Sequence, residues 1–384
     1  MVTTASAPVP LLGFGAGETA PAAAAARTLP AEAYTSPTVL AWEVAELFAR
    51  GWLCVGRSSE IAAPGDQRAV RAGDDAVLLV RGEDAVLRGF FNVCRHRGHE
   101  LLPCGGATVH RRAISCPYHA WAYGLDGGLL RTPNFGDLPL DDPVRSGLNP
   151  ARVAEWHGWV FVNVDGNAPA LATYVADLEG LVRPYEPAQL VMVSSHEYTV
   201  EANWKVLNEN YNECLHCRII HPELVRLSAA DSGINYEPQG MWVGGTMDLR
   251  KHAETMSRNG RGGRALPGLS EARRREVLYV GLFPNLLISL HPDYVMTHRL
   301  FPLSPSRTHI ECAWLSLPEN RDDGSLDEAI AFWDLTNKQD WTACESVQRG
   351  IGSRGYRPGP FSEQEITVSQ FVALVRASYR AGAP

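Results

Sequence analysis

Two short segments constrain the fold of this 384-residue chain more than any other feature: Cys94-Arg95-His96 and, nineteen residues on, Cys116-Pro117-Tyr118-His119. Each supplies one thiol and one imidazole. A [2Fe–2S] cluster that takes two Cys on one iron and two His on the other needs that mixture, with two loops clamping the cluster from opposite sides. A structural Cys2His2 zinc site is the rival reading, and four unrelated core residues the bland one. Zinc sites of that type draw both thiolates from one knuckle and both imidazoles from one helix, so the C-x-H and C-x-x-H order favours the cluster. Gly98, Gly105, Gly106 and Pro117 would let the loops turn tightly and aim backbone N–H groups at the cluster. His99, Cys104 and His110 read as packing or surface residues.

The remaining composition bounds the class. A chain of this length is expected to form two domains of roughly 150 to 200 residues. Hydrophobic residues at 45% and charged residues at 20% are ordinary globular usage and exclude a disordered or fibrous protein. The net charge of −8, without a basic block, argues against a nucleic-acid surface. Apolar runs such as 77–80 and 286–290 fall far short of the roughly 20 residues that span a bilayer. No secretory leader is legible, so the expected location is the cytoplasm. Eight cysteines are too sparse for a disulfide scaffold and are expected to be ligands or buried thiols.

Along the chain, residues 1–36 form an Ala/Pro-rich arm expected to be disordered. A helix is expected over 37–51, where Ser36-Pro37 resembles an N-cap and N1 pair. Short β runs follow at 52–55, 68–71, 76–81, 86–92 and 113–116, closed by 155–164, and a helix at 169–184 leads out. The second half mixes strands at 194–200, 241–249, 278–290, 294–302 and 308–316 with helices at 203–216 and 326–349. The expected domains are therefore 37–165 and 166–384, the second of α+β type.

A second constellation opens at Asn203-Trp204-Lys205. Glu209, Glu213 and His216 fall at i, i+4 and i+7 of a helix, and His221 could rejoin that face if the helix ends before Pro222. Two histidines and one carboxylate with open positions make the facial triad of non-haem Fe(II) oxygenases. The missing member would be a distant carboxylate, with Asp334, Asp340 and Glu345 as candidates.

The motifs from Asn92 to Gly98 and from Cys116 to Tyr123, followed by Asp126-Gly127, resemble the N-terminal signature of the Rieske oxygenase α-subunit family. The resemblance covers about residues 37–375. It implies an α+β architecture: a Rieske β domain, then a helix-grip (START-like) catalytic domain with an antiparallel sheet. It implies a Rieske [2Fe–2S] cluster on Cys94, His96, Cys116 and His119, and a mononuclear Fe(II) on His216, His221 and Asp340. The last is assigned because Asn337-Lys338-Gln339-Asp340 resembles the family's third-ligand region. Glu213 would bridge, by hydrogen bonds, the iron's histidine and a Rieske histidine of a neighbouring subunit.

Most members carry aspartate at that bridging position. Glutamate, with Cys214 to Cys217 after it, resembles the choline, glycine betaine and carnitine monooxygenase subset. The resemblance further implies a homotrimer, electrons from a separate NAD(P)H-dependent reductase or ferredoxin, and hydroxylation or oxidative N-demethylation of a small organic substrate. No G-x-G-x-x-G follows a strand, in keeping with a separate reductase. For a quaternary ammonium substrate, Tyr211, Tyr236, Trp242, Phe283, Tyr294 and Trp314 are candidate cage residues. An aromatic or natural-product substrate is the alternative. A Rieske electron-transfer protein and a zinc-stabilised binding module are the readings without enzyme activity.

Overall fold

A computed structural model describes residues 26–135, 147–320 and 324–381. The chain forms two compact units: Val44–Leu171, and the described residues of 1–43 together with those of 172–384.

The unit Val44–Leu171 is built on a seven-stranded antiparallel sheet. Its strands run in the spatial order Leu53–Arg57, Trp159–Asn163, Pro150–Trp156, Leu87–Phe91, Asp75–Arg81, Gln67–Ala72 and Ala107–Thr108. Ile114–Ser115, Ala122–Tyr123 and Leu129–Arg131 make a smaller three-stranded sheet. The run read as one strand over 155–164 is a hairpin instead. His157 and Gly158 both have positive φ, +48° and +81°, and Trp156 pairs with Trp159 across them. Two consecutive positive φ values give the two-residue turn whose twist matches flanking strands. Leu78, Val80, Phe90, Ile114, Trp121 and Tyr123 form one core with Cys94 and Cys116, so the cysteines are held from inside the module.

The other unit has a six-stranded antiparallel sheet in the order Val191–Val200, Arg307–Ser316, Tyr294–Ser304, Leu286–Leu290, Glu276–Leu282 and Trp242–Asp248. The run read as one strand over 278–290 divides at Pro284, which has no N–H for a ladder; Leu282 pairs with Leu286 across the turn. The helix Ser325–Ile351 and the helix Ile366–Ala381, which periodicity reading leaves out, complete the α part. An antiparallel sheet with segregated helices is the α+β class expected.

The helix expected over 203–216 is shorter. Asn203 caps it, its side chain accepting from the Lys205 N–H at 3.0 Å, but the helix spans Trp204–Tyr211 only. Cys217–Ile220 and Pro222–Leu227 follow as separate turns, so Glu213 and His216 lie beyond the helix rather than on its face. The helix expected over 37–51 is α-helical at Pro37–Trp42 and π-helical at Glu43–Phe48. Residues 26–36, placed with a disordered arm on composition, are ordered: Ala31–Thr35 is helical and Tyr34 is fully buried. The rest of that arm lies outside the described residues. Among the described residues no helix is long and apolar enough to cross a membrane.

Candidate metal centres

The first constellation folds into two loops of the same design. The Cys94 N–H donates to the His99 carbonyl at 2.8 Å, and the Cys94 carbonyl accepts from Gly98 at 3.0 Å. Likewise the Cys116 N–H donates to the Trp121 carbonyl at 2.8 Å, and the Cys116 carbonyl accepts from Ala120 at 3.1 Å. Both turns close on a residue of positive φ, Gly98 at +73° and Ala120 at +57°. Sequence reading picks out the glycine and passes over the alanine, because only glycine advertises that conformation. Of the other three residues singled out as turn formers, Gly105 also has positive φ.

These loops bring all four expected ligands together. Both cysteines are buried, and the rings of His96 and His119 lie 4.7 Å apart between centroids. Nδ1 of His119 is buried without a hydrogen-bond partner, and the ring of His96 stacks on Trp121. Burial pushes the Cys94 thiol above its ordinary value, while a hydrogen bond with the Tyr123 hydroxyl opposes that. Two neighbouring buried thiols, in loops that also carry an orphaned imidazole nitrogen, are a donor set that a cationic cluster would satisfy.

The second constellation is assembled from two distant stretches. His221 is fully buried, and its Nε2 lies 2.9 Å from Asp340 Oδ1; His216 Nε2 lies 3.3 Å from the same oxygen. Each imidazole nitrogen thus lies about 3 Å from the same carboxylate oxygen, the separation of two ligands about 2.1 Å from one divalent ion. The other ring nitrogens are fixed. The Nδ1–H of His216 donates to Glu213 and that of His221 to Gln339 Oε1 at 2.7 Å, so each ring presents Nε2 toward Asp340. Burial works against protonation of His216, but its hydrogen bonds to Asp340 and Glu213 prevail and raise it to about 9. Gln339 is a site residue to which motif reading assigns no role; its place next to Asp340 is the signal that could have found it.

Of the competing carboxylates, Asp334 accepts from Tyr198 at 2.9 Å and Lys338 at 2.6 Å, and Glu345 accepts from the Glu201 N–H. Glu209 lies elsewhere, accepting from the Tyr34 hydroxyl at 2.7 Å; burial pushes its carboxyl up to about 7. Cys217 falls within reach of the two histidines, but its sulfur is bonded to Cys214. That disulfide corrects the expectation of thiols throughout: two residues of intervening chain bring the Cα atoms to 4.9 Å, within bridging range.

A cavity of about 290 Å³ opens onto His216, His221 and Asp340. Its aromatic walls are Tyr211, Tyr279, Trp333 and Trp341. Of the six expected cage residues only Tyr211 lines it. Trp242, Phe283, Tyr294 and Trp314 are core, and Tyr236 is bound to Arg273. Trp333 lies two helical turns before Asp340, a spacing that could have put it on the same face. Tyr279 stands edge-on to both Tyr211 and Trp333, at 6.1 and 6.5 Å between centroids. His298, also lining the cavity, is driven by burial down to about 4 and is neutral at pH 7.

Residues 51–141 match the family model of the Rieske [2Fe–2S] domain, and residues 187–381 that of the ring hydroxylating alpha subunit, catalytic domain. The chain is 30% identical to the glycine betaine monooxygenase oxygenase subunit of Chromohalobacter salexigens, over 90% of this chain and 84% of that protein. It is 32% identical to the carnitine monooxygenase oxygenase subunit of Escherichia coli K12, over 86% of each. Among solved structures it resembles a quaternary ammonium Rieske monooxygenase at a TM-score of 0.81 and 27% identity, covering 96% of this chain and all of that one.

Proposed function

The chain belongs to the ring-hydroxylating oxygenase α-subunit family with a Rieske domain, and from that premise we propose that it oxidises a quaternary ammonium compound or related amine, by hydroxylation or oxidative N-demethylation. Family membership makes it an enzyme with a Rieske [2Fe–2S] cluster and a mononuclear iron, served by a reductase partner. The catalytic-domain match sets aside the readings as an electron carrier alone and as a zinc module. The observation that carries the substrate reading is the meeting of the His216, His221 and Asp340 donors at a cavity walled by Tyr211, Tyr279 and Trp333. Aromatic faces receive a desolvated quaternary ammonium through their quadrupoles.

In this proposal Cys94, Cys116, His96 and His119 hold the cluster, and His216, His221 and Asp340 hold Fe(II). Bound there, the two groups supply single electrons and the activation of dioxygen. The chain's own residues prepare that chemistry. Glu213 and Gln339 fix the histidine tautomers by accepting hydrogen bonds from the Nδ1–H groups, and Asp340 offers one carboxylate oxygen to the shared position. The aromatic walls orient the cation and keep bulk water from the reacting carbon. Glu213, already hydrogen-bonded to His216, would also reach a Rieske histidine of a neighbouring copy in a head-to-tail homotrimer. The reductase would be NAD(P)H-dependent, acting directly or through a ferredoxin, in the cytoplasm.

Iron analysis and turnover test this reading. The purified chain should hold three irons and release formaldehyde or a hydroxylated product from a trimethylammonium substrate. Asp340→Ala should keep two irons and the cluster's visible spectrum while losing turnover. Undiminished turnover by that variant would overturn the assignment.

A further inference from the structure

Resting on the quaternary ammonium reading, we propose a narrower substrate class: a cation that carries no carboxylate, with a neutral end such as a hydroxyl, ether or alkyl group. Among the described residues lining the cavity there is no lysine or arginine. Apart from His216 and His221, which the ion would occupy as neutral ligands, the charged side chains there are Glu213, Asp231, Asp340 and Glu363. All four are acidic. Glu213 and Asp340 are engaged with the two histidines, and Asp231 pairs with Arg218 at 2.7 Å, both partners being more than half exposed. Glu363 makes no ion pair with the described residues and leaves its negative charge at the exposed edge of the cavity. His298 is neutral.

With a divalent ion on His216, His221 and Asp340, the ion's two charges offset Asp340 and Glu213. Asp231 is offset by Arg218, and the remainder is the single negative charge of Glu363. That sign attracts an ammonium group. A substrate carboxylate would instead leave water for a cavity with no cationic side chain to receive it, and a buried charge is tolerated only when paired.

What the cavity offers an oxygen atom is uncharged. The Tyr279 hydroxyl and the Trp341 indole N–H belong to lining residues and are buried without hydrogen-bond partners. The side-chain oxygen of Asn235 accepts from Thr367 at 3.1 Å, which turns the amide N–H2 of Asn235 outward from that bond. Neutral donors of this kind suffice for a hydroxyl or ether. They do not neutralise a carboxylate.

The test measures kcat/KM on the iron-loaded enzyme with a surrogate reductase, using choline, its neutral carbon isostere 3,3-dimethylbutan-1-ol, glycine betaine and carnitine. Choline should exceed glycine betaine and carnitine by at least tenfold. Glu363→Lys, which introduces the missing cation, should narrow that ratio at least threefold. If choline is preferred over its neutral isostere and glycine betaine or carnitine still matches choline, this inference falls while the quaternary ammonium reading stands. If the isostere is used as well as choline, or none of the three ammonium compounds is turned over, that reading falls and takes the inference with it.

Discussion

Replacing Gln339 by leucine tests whether the histidine tautomers are set by the protein. In the native site the Nδ1–H of His221 donates to Gln339 Oε1 at 2.7 Å, and the ring is 1% exposed, so water cannot take over that bond. Leucine of similar volume removes the acceptor and leaves a buried N–H unpaired, at a cost of about 1–3 kcal/mol. The ring can escape that cost by moving its proton to Nε2, the nitrogen now 2.9 Å from Asp340 Oδ1, where it blocks the shared ligand position.

Loss of such an orienting partner lowers metal affinity by about 10- to 100-fold, or about 1.4–2.7 kcal/mol. Competition with a chromophoric chelator measures the Fe(II) affinity. The cluster's visible absorption in the same sample reports that the Rieske loops are intact. Gln339→Glu keeps an acceptor and should bind iron at least as tightly as the native protein. Equal affinities for Gln339→Leu and the native chain would mean that Gln339 does not set the His221 tautomer.

The buried pair Glu43–Lys205, 2.6 Å apart and fully buried on both sides, also receives Trp204 Nε1–H at 2.9 Å and the Tyr379 hydroxyl. Glu43→Gln strands the ammonium and should cost about 3–5 kcal/mol in denaturant unfolding, most of it recovered when Lys205→Met is added; a double variant no more stable than Glu43→Gln alone would contradict the pairing. Glu209, with its carboxyl raised from 4.5 to about 7, contributes stability fully present below pH 4.5 and lost as pH rises through 7, at most about 3 kcal/mol. Glu209→Gln should flatten that dependence between pH 5 and 8, as read from unfolding midpoints at both values. In the Rieske loop, Ala120→Gly relieves a positive φ of +57°, which stabilises the loop by roughly 1 kcal/mol and should raise the temperature at which the cluster bleaches, whereas Ala120→Val should lower it. A lower bleaching temperature for Ala120→Gly would refute that.

The chain order by itself determined the chemistry of the donors. Cys94 with His96, Cys116 with His119, and His216 with His221 each fall within six residues, so local spacing alone puts compatible donors side by side in each segment. The β character of the first module and the α+β character of the second were legible for the same reason, since alternation and helical periodicity are local. The remaining choices were made by long-range packing. Asp340 is 119 residues from His221, and the choice among it, Asp334 and Glu345 was made by which face of the long helix packs toward the histidines. Tyr279 and Trp333 became cavity walls while Tyr294 and Trp314 became core. An aromatic side chain gains by burial in either place, so its residue type carries no mark of which it will occupy; the packing of sheet against helix makes that choice.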